Sequence, residues 1–270
     1  MRAKDKVVVV TGASMGIGEA IAAIFLREGA KVVLASRDVQ RVGAARQRLG
    51  SLDRSLAMAC DVAVPAQIDA LIQSVLGAHG RIDVWVNNAG VGLLDSVEHM
   101  STAAYRQLFE TNLFGAIACM QAVIPVMKDQ SAGSIINISS VAGHIAVPGM
   151  AAYSASKHAL NAIGKAVRLE LAGTDVHVLT VCPGYIATDF GQHALKGPDA
   201  KRISAAKNRI SPERCARAVF RGYLRNSREI VVPWRDRIII SLYQHAPWLI
   251  ESAMKRMLKP AEQVLSRSAH

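Results

Sequence analysis

Short unbroken runs of apolar residues alternate along this chain with longer stretches in which apolar positions recur every three or four residues. Unbroken runs suit strands buried on both faces, and the three-to-four spacing sets one apolar stripe along a helix. Strands are expected at 6–10, 31–35, 56–60, 82–87, 134–139, 176–182 and 229–232, with helical patterns between them, among them 19–28, 102–127 and 153–171. The alternation predicts an α/β fold, a doubly wound sheet of about seven parallel strands with helices on both faces. Ligands of such a sheet gather beyond the carboxyl ends of its strands, where strand order reverses. Gly12, Asn88, Ser140 and Pro183 each directly follow an expected strand. With 270 residues, 51% of them apolar, and no linker or low-complexity stretch, one domain over 1–270 is expected.

Charge changes the picture only near the end. Residues 1–191 carry 16 Lys/Arg against 15 Asp/Glu, whereas 192–270 carry 16 against 6 and supply most of the net +11. Ser211-Pro212-Glu213 reads as a helix start, followed by Arg214, Arg217, Arg221, Arg225 and Arg228 at steps of three or four. Beyond it, 233–270 reads as an amphipathic extension of the same domain. Ile239, Leu242, Ala246, Leu249, Ala253 and Met257 share one helical register, flanked by Arg235, Arg237, Lys255, Arg256 and Lys259, with Trp234 and Trp248 beside Pro233 and Pro247. Peripheral contact with an anionic membrane is one expectation for such a segment; an acidic acyl-carrier partner and simple solvation of the arginines are others. No run approaches the roughly 18 apolar residues of a spanning helix, and residues 1–6 show no cleavable signal pattern. A soluble or membrane-peripheral protein is expected. Nucleic-acid binding has only the arginine stripe in its favour, because aromatic residues do not interleave with it. Cys60, Cys119, Cys182 and Cys215 lack paired ligand spacing, so neither a disulfide framework nor a metal site is expected, and a reducing cytoplasm is. His144, His193 and His245 lack partners at useful spacing.

Candidate chemistry concentrates in two places. The apolar run 7–10 leads into Thr11-Gly12-Ala13-Ser14-Met15-Gly16-Ile17-Gly18 and then a helical pattern. Strand, glycine turn and helix start together suit a pyrophosphate, because the backbone turns sharply and free N–H groups meet the negative charge. Tyr153 and Lys157, four apart on an expected helix, project from one face, with Ser140 upstream. A tyrosine acting as a base near neutrality must fall by roughly 2 to 3 pKa units from its usual value, about 3 to 4 kcal/mol. An ammonium within about 4 to 6 Å supplies about 1 to 3 of these, so Lys157 is expected to do most of the tuning.

Thr11 to Gly18, Asn87-Asn88-Ala89-Gly90, Asn112 in Thr111-Asn112-Leu113-Phe114-Gly115, Ser139-Ser140, Tyr153 with Lys157, and Pro183-Gly184 with Thr188 occur in this order. Over residues 6 to about 190 the chain resembles the short-chain dehydrogenase/reductase family. The resemblance implies interconversion of a ketone or aldehyde and an alcohol by hydride transfer. Tyr153 would be the general acid/base, Ser140 would polarise the carbonyl, Lys157 would also hold the nicotinamide ribose, and Asn112 would anchor a relay water. Cofactor contacts are implied for Gly12, Ser14, Met15, Gly16, Ile17 and Gly18, for Asp61 and Val62 after the third strand, for Asn88, Ala89 and Gly90, and for Pro183, Gly184, Ile186 and Thr188. At the end of the second strand Ser36 stands where an acidic residue would bind the ribose of NAD, and Arg37 offers a fork suited to a 2′-phosphate, so NADP(H) is expected. Met15 departs from a frequent basic residue in the turn, which removes one phosphate partner. Asp38 reads as a helix cap.

The resemblance further implies a substrate lid and basic helix over 192–232, the lid running between Gly184 and Ser211 with Phe190, Leu195 and Ile203. The lid leans toward apolar substrates, and His144, four positions after Ser140, is a candidate for the substrate mouth. Helices around 102–127 and 153–171 resemble those that pair subunits, implying a homodimer or homotetramer. A catalytically idle NADP-binding scaffold or sensor is the alternative, and a dehalogenase-like or epimerising relative a further one; the intact Tyr153, Lys157, Ser140 and Asn112 argue against them.

Overall fold

The computed structural model describes residues 1–202 and 210–255. It begins β1 (Val7–Thr11), α1 (Gly16–Arg27), β2 (Lys31–Ser36), α2 (Val39–Leu49), β3 (Ser55–Ala59), α3 (Pro65–His79) and β4 (Val84–Asn87). A two-residue strand, β5 (Leu93–Leu94), precedes α4 (Thr102–Phe109), a π-helical turn over Glu110–Phe114 and α5 (Gly115–Asp129). Then come β6 (Gly133–Ile138), α6 (Ala151–Glu170), β7 (Val176–Pro183), β8 (Leu195–Lys196), α7 (Pro212–Leu224), β9 (Glu229–Val232), α8 (Asp236–His245) and α9 (Pro247–Lys255).

Seven strands form one parallel sheet in the order β3-β2-β1-β4-β6-β7-β9. The order reverses between β1 and β4, the point at which a doubly wound sheet leaves a crevice for its ligand, and Gly12 and Asn88 directly follow those two strands. The valines of β1 serve both faces: Val8 and Val10 pack with Ile21, Phe25 and Phe220 under α1 and α7, while Val7 and Val9 pack with Ile68, Trp85 and Val123 under α3 and α5. Burial on both faces is why the sequence shows unbroken runs instead of alternation.

Four expectations need correction. The helix over 102–127 is not continuous, because the π turn interrupts it. Together these helical turns make a stretch, Thr102–Asp129, that by length and composition reaches the threshold for a membrane span, contrary to the expectation of none; 44% of its apolar window is buried inside the protein. The arginine stripe of five shortens to Arg214, Arg217 and Arg221, since α7 ends at Leu224 and leaves Arg225 and Arg228 beyond it. The single register expected across 239–257 breaks at Ala246, where Pro247 starts α9, and Arg256, Met257 and Lys259 lie outside the described residues. The core faces of these last helices are Ile240, Tyr243 and Met254; Ile239, Leu242 and Leu249 are exposed, as are both tryptophans.

Candidate active site

The glycine turn is built by steric necessity. Gly12 has φ +63°, and a Cβ there would sit 2.8 Å from the Ala89 Cα. Gly16 has φ +62° and would press on Thr188 Cγ2 at 3.1 Å. Asn88 locks the turn to the end of β4: its Nδ2 donates to the carbonyls of Thr11 at 2.9 Å and Gly12 at 3.0 Å. Thr11, given no role by sequence reasoning, accepts from the amides of Asn88 and Ala89 through its hydroxyl and donates to the Val86 carbonyl. Backbone is thus brought where a diphosphate needs it, with no Cβ in the way.

Beside the turn lies a cavity of about 430 Å³ lined by Ser14, Met15, Gly16, Thr188, Arg41 and Arg48 among others. Ser36 donates to the Ser14 hydroxyl at 3.4 Å, and Arg37 is exposed. The sequence reading passed over the two α2 arginines. Arg41 Nη2 stands 3.3 Å from Met15 Sδ, and Arg48 donates from Nη2 to the Ser14 carbonyl at 3.2 Å and from Nε and Nη2 to the two Glu19 oxygens. Their spacing of seven, two helical turns, was the available signal. Asp38 caps α2 by accepting from Arg41 N at 2.9 Å, as expected. Asp61 accepts from the Ala63 amide, and Val62 is buried against Gly115. Ile17 packs on the core. Ile186 bridges to Ile210, and the Gly184 amide donates to Val232, with Pro183 buried beneath.

At the far end of the crevice α6 presents Tyr153 and Lys157 together. Lys157 Nζ lies 5.8 Å from the Tyr153 ring centre and donates to the Ile138 carbonyl at 2.9 Å. Ser140 caps the short turn after β6, accepting from Ala142 N at 3.1 Å and donating to the Pro183 carbonyl at 3.3 Å. Asn112 sits inside the π turn and is fully buried; its amide accepts from Val91 N at 2.7 Å and donates to Val91 O and to Ser156 Oγ. Gly90 lies between Asn112 and Lys157, where a Cβ would press on Asn112 Oδ1 at 3.2 Å. Phe190 of the expected lid faces Tyr153 with ring centres 5.7 Å apart, and Leu195 anchors the lid by pairing β8 with β5. Ile203 lies outside the described residues.

The sequence profile named short chain dehydrogenase matches residues 6–198, more than half of the chain. This chain belongs to the short-chain dehydrogenase/reductase family. An uncharacterized oxidoreductase of Staphylococcus saprophyticus is 37% identical over 220 residues, 80% of this chain and 89% of that protein. A dehydrogenase/reductase SDR family protein 7-like of Drosophila melanogaster is 34% identical over 235 residues, 84% and 72% of the two chains. Among solved structures, a short chain dehydrogenase/reductase from Burkholderia phymatum, in complex with NAD, superposes with a TM-score of 0.84 at 26% identity, covering 92% of this chain and 96% of that one. The protein is therefore an NAD(P)-dependent dehydrogenase/reductase that works by hydride transfer, in a family that takes small-molecule substrates and forms oligomers.

Electrostatics in this dehydrogenase differ from the expectation in one respect. Burial pushes the Tyr153 phenol up to about 12, opposed by the neighbouring Ser140. Lys157, 4% exposed, is itself pulled down to about 8 by burial. The expected net lowering of Tyr153 by Lys157 does not appear, because burial strips hydration from both charged forms. His144 is half-buried, with Nε2 3.4 Å from Cys182 Sγ and 3.7 Å from Glu229 Oε2. Partners that sequence spacing did not show are thus supplied by neighbouring strands.

Proposed function

We propose that this dehydrogenase uses NADP(H) to interconvert an apolar ketone or aldehyde with its alcohol, with Tyr153 as general acid/base. The observation carrying this reading is the convergence of Tyr153, Ser140 and Lys157 beyond the carboxyl ends of β6 and β7. When bound, the reduced nicotinamide supplies hydride to the carbonyl carbon. Tyr153 then gives its proton to the oxygen as negative charge develops there, and Ser140 redirects its long bond from Pro183 to the same oxygen. A phenol near about 12 is protonated at neutral pH, the state that reduction requires. In the direction of alcohol oxidation the phenol must first lose its proton, which burial opposes and a cationic nicotinamide would favour.

Lys157 holds the ribose and returns the proton to Tyr153. The Asn112 side chain is taken up by Val91 and Ser156, so a relay water falls to its main-chain carbonyl in the widened π turn. Arg37 and Arg41, beside Ser14 and the end of β2, take the 2′-phosphate, and Arg41 replaces the basic residue that Met15 lacks. Phe190 and Leu195 give the substrate side an apolar wall. Exposed Phe114 and Leu169, on the helices expected to pair subunits, suit assembly as a homodimer or homotetramer.

The test is NADPH and NADH consumption over a panel of apolar ketones and aldehydes. NADPH should be preferred by about tenfold or more in kcat/KM, the equivalent of one charge-assisted phosphate contact. Tight NADPH binding without turnover of any carbonyl or alcohol would replace this reading with the scaffold or sensor.

A further inference from the structure

Cys182 and Glu229 belong to adjacent parallel strands, where Cys182 is in register with Val231 and Thr180 with Glu229. Side chains two apart on a strand share a face, so Cys182, Val231 and Glu229 all point to one side of the sheet. His144 reaches the same point from the turn after β6. The imidazole nitrogen, the thiol sulfur and a carboxylate oxygen lie within 4.8 Å of one another. We propose that His144, Cys182 and Glu229 form a binding site for a zinc-class divalent cation, ligated by Nε2, Sγ and one carboxylate oxygen.

Geometry supports the assignment. Zinc bonds of about 2.3 Å to sulfur and about 2.0 to 2.2 Å to nitrogen and oxygen give tetrahedral edges of about 3.3 to 3.6 Å. The Cys182–His144 separation is 3.4 Å and the His144–Glu229 separation 3.7 Å, so two edges are nearly in place. A torsion of Glu229 closes the third. The fourth position falls to water or to Asn161 Oδ1, 3.9 Å from the sulfur and aimed by the bond from Asn161 Nδ2 to the Gly143 carbonyl. Ile145, Val231 and Ile240 form an apolar wall behind the sulfur, while the His144 and Glu229 side chains retain 10% and 23% exposure and leave a way in. A thiolate and an imidazole select zinc, cobalt or nickel over magnesium or calcium. None of the three residues has a part in the proposed hydride-transfer chemistry.

Binding breaks the Cys182 S–H bond, sends the proton to solvent and gives the sulfur electron pair to the metal, with no change of oxidation state. Thiolate and carboxylate then cancel both charges of the cation. Because ligation expels that proton, affinity rises with pH. Lys157 and Lys165 from α6 and Arg237 from α8 carry charge beside the sulfur; they favour the thiolate and oppose the dication.

The experiment is titration of the chelator-treated full chain with Co²⁺ alone, then displacement by Zn²⁺. One equivalent of Co²⁺ should give a thiolate-to-cobalt charge-transfer band and tetrahedral d–d absorption, both removed by Zn²⁺ and untouched by Mg²⁺. The band should vanish in Cys182→Ser, and affinity should fall by about tenfold or more in His144→Gln and Glu229→Gln, which keep the fold readable by circular dichroism if Cys182→Ser does not. Zn²⁺ should also slow alkylation of Cys182. Absence of the band in the unmodified chain, its persistence in Cys182→Ser, or unchanged affinity in both other variants overturns the proposal.

Discussion

Replacing Lys157 by methionine should stabilise the protein while abolishing turnover. The residue is 4% exposed and its ammonium is held near about 8, against 10.5 in its ordinary setting. That difference corresponds to a penalty of about 3 kcal/mol on the charged form in the folded state. Methionine keeps the unbranched stem and removes the charge, but it forfeits the bond to the Ile138 carbonyl, worth roughly 1.5 to 3 kcal/mol for a charged donor. The net gain is about 1 kcal/mol, or roughly 2 °C in Tm for a chain of this size. Because the folded pKa is the lower one, the penalty is complete below about pH 8 and is relieved as pH rises toward the unfolded value. The advantage of the variant over the parent should therefore be largest near neutrality and shrink by about pH 10. Thermal unfolding followed by circular dichroism across that range measures it directly. A variant less stable than the parent at neutral pH, or a gap that widens with pH, would refute the claim that burial governs this lysine.

Four further outcomes are expected. Tyr153→Phe should lower kcat/KM for carbonyl reduction by about 10² to 10⁴, the usual worth of a positioned acid, with NADPH affinity measured by fluorescence changed by less than about twofold; persistent turnover would show that another group donates the proton. The kcat/KM for reduction should be level at neutral pH and fall above about 8, as Lys157 loses its proton, while a fall on the acid side alone would contradict the assignment. Arg37→Ala and Arg41→Ala should each raise the KM for NADPH by about tenfold and leave that for NADH unchanged, which steady-state titration of both cofactors resolves. Gly16→Ala forces a Cβ at φ +62° against Thr188, so it should cost roughly 1 to 2 kcal/mol and weaken binding of either dinucleotide, seen by calorimetry.

What could be read from the sequence was what local pattern determines. Each expected strand of the main sheet appears, with ends moved by two residues or fewer, because a strand buried on both faces must be apolar throughout. Asp38 was legible as a cap for the same local reason. Features set by distant partners were not: β5 and β8 are two residues each and exist only because the lid returns to pair with the segment after β4. Arg41 and Arg48 become cavity residues only once α2 lies beside the glycine turn. The break at Ala246 was announced by Pro247, yet the apolar register across it was strong enough to mask the signal. The ionisation of Tyr153 was misjudged because spacing reports who is near a group and nothing of how much water it has lost. His144, Cys182 and Glu229 meet through strand register, which no spacing along the chain encodes.

The π turn at Glu110–Phe114 inserts one residue beyond what a regular helix would hold between α4 and α5. A π turn winds through less angle per residue than an α turn, so the extra residue is absorbed where it sits and α5 keeps the phase an uninterrupted helix would give it. Cys119, Met120, Val123 and Met127 therefore stay seated against the sheet whether the residue is present or not. The irregularity is confined to the turn in which Asn112 clamps Val91. Losing one residue here should spare the packing and cost the clamp, which makes the bulge a feature of the site and not of the scaffold.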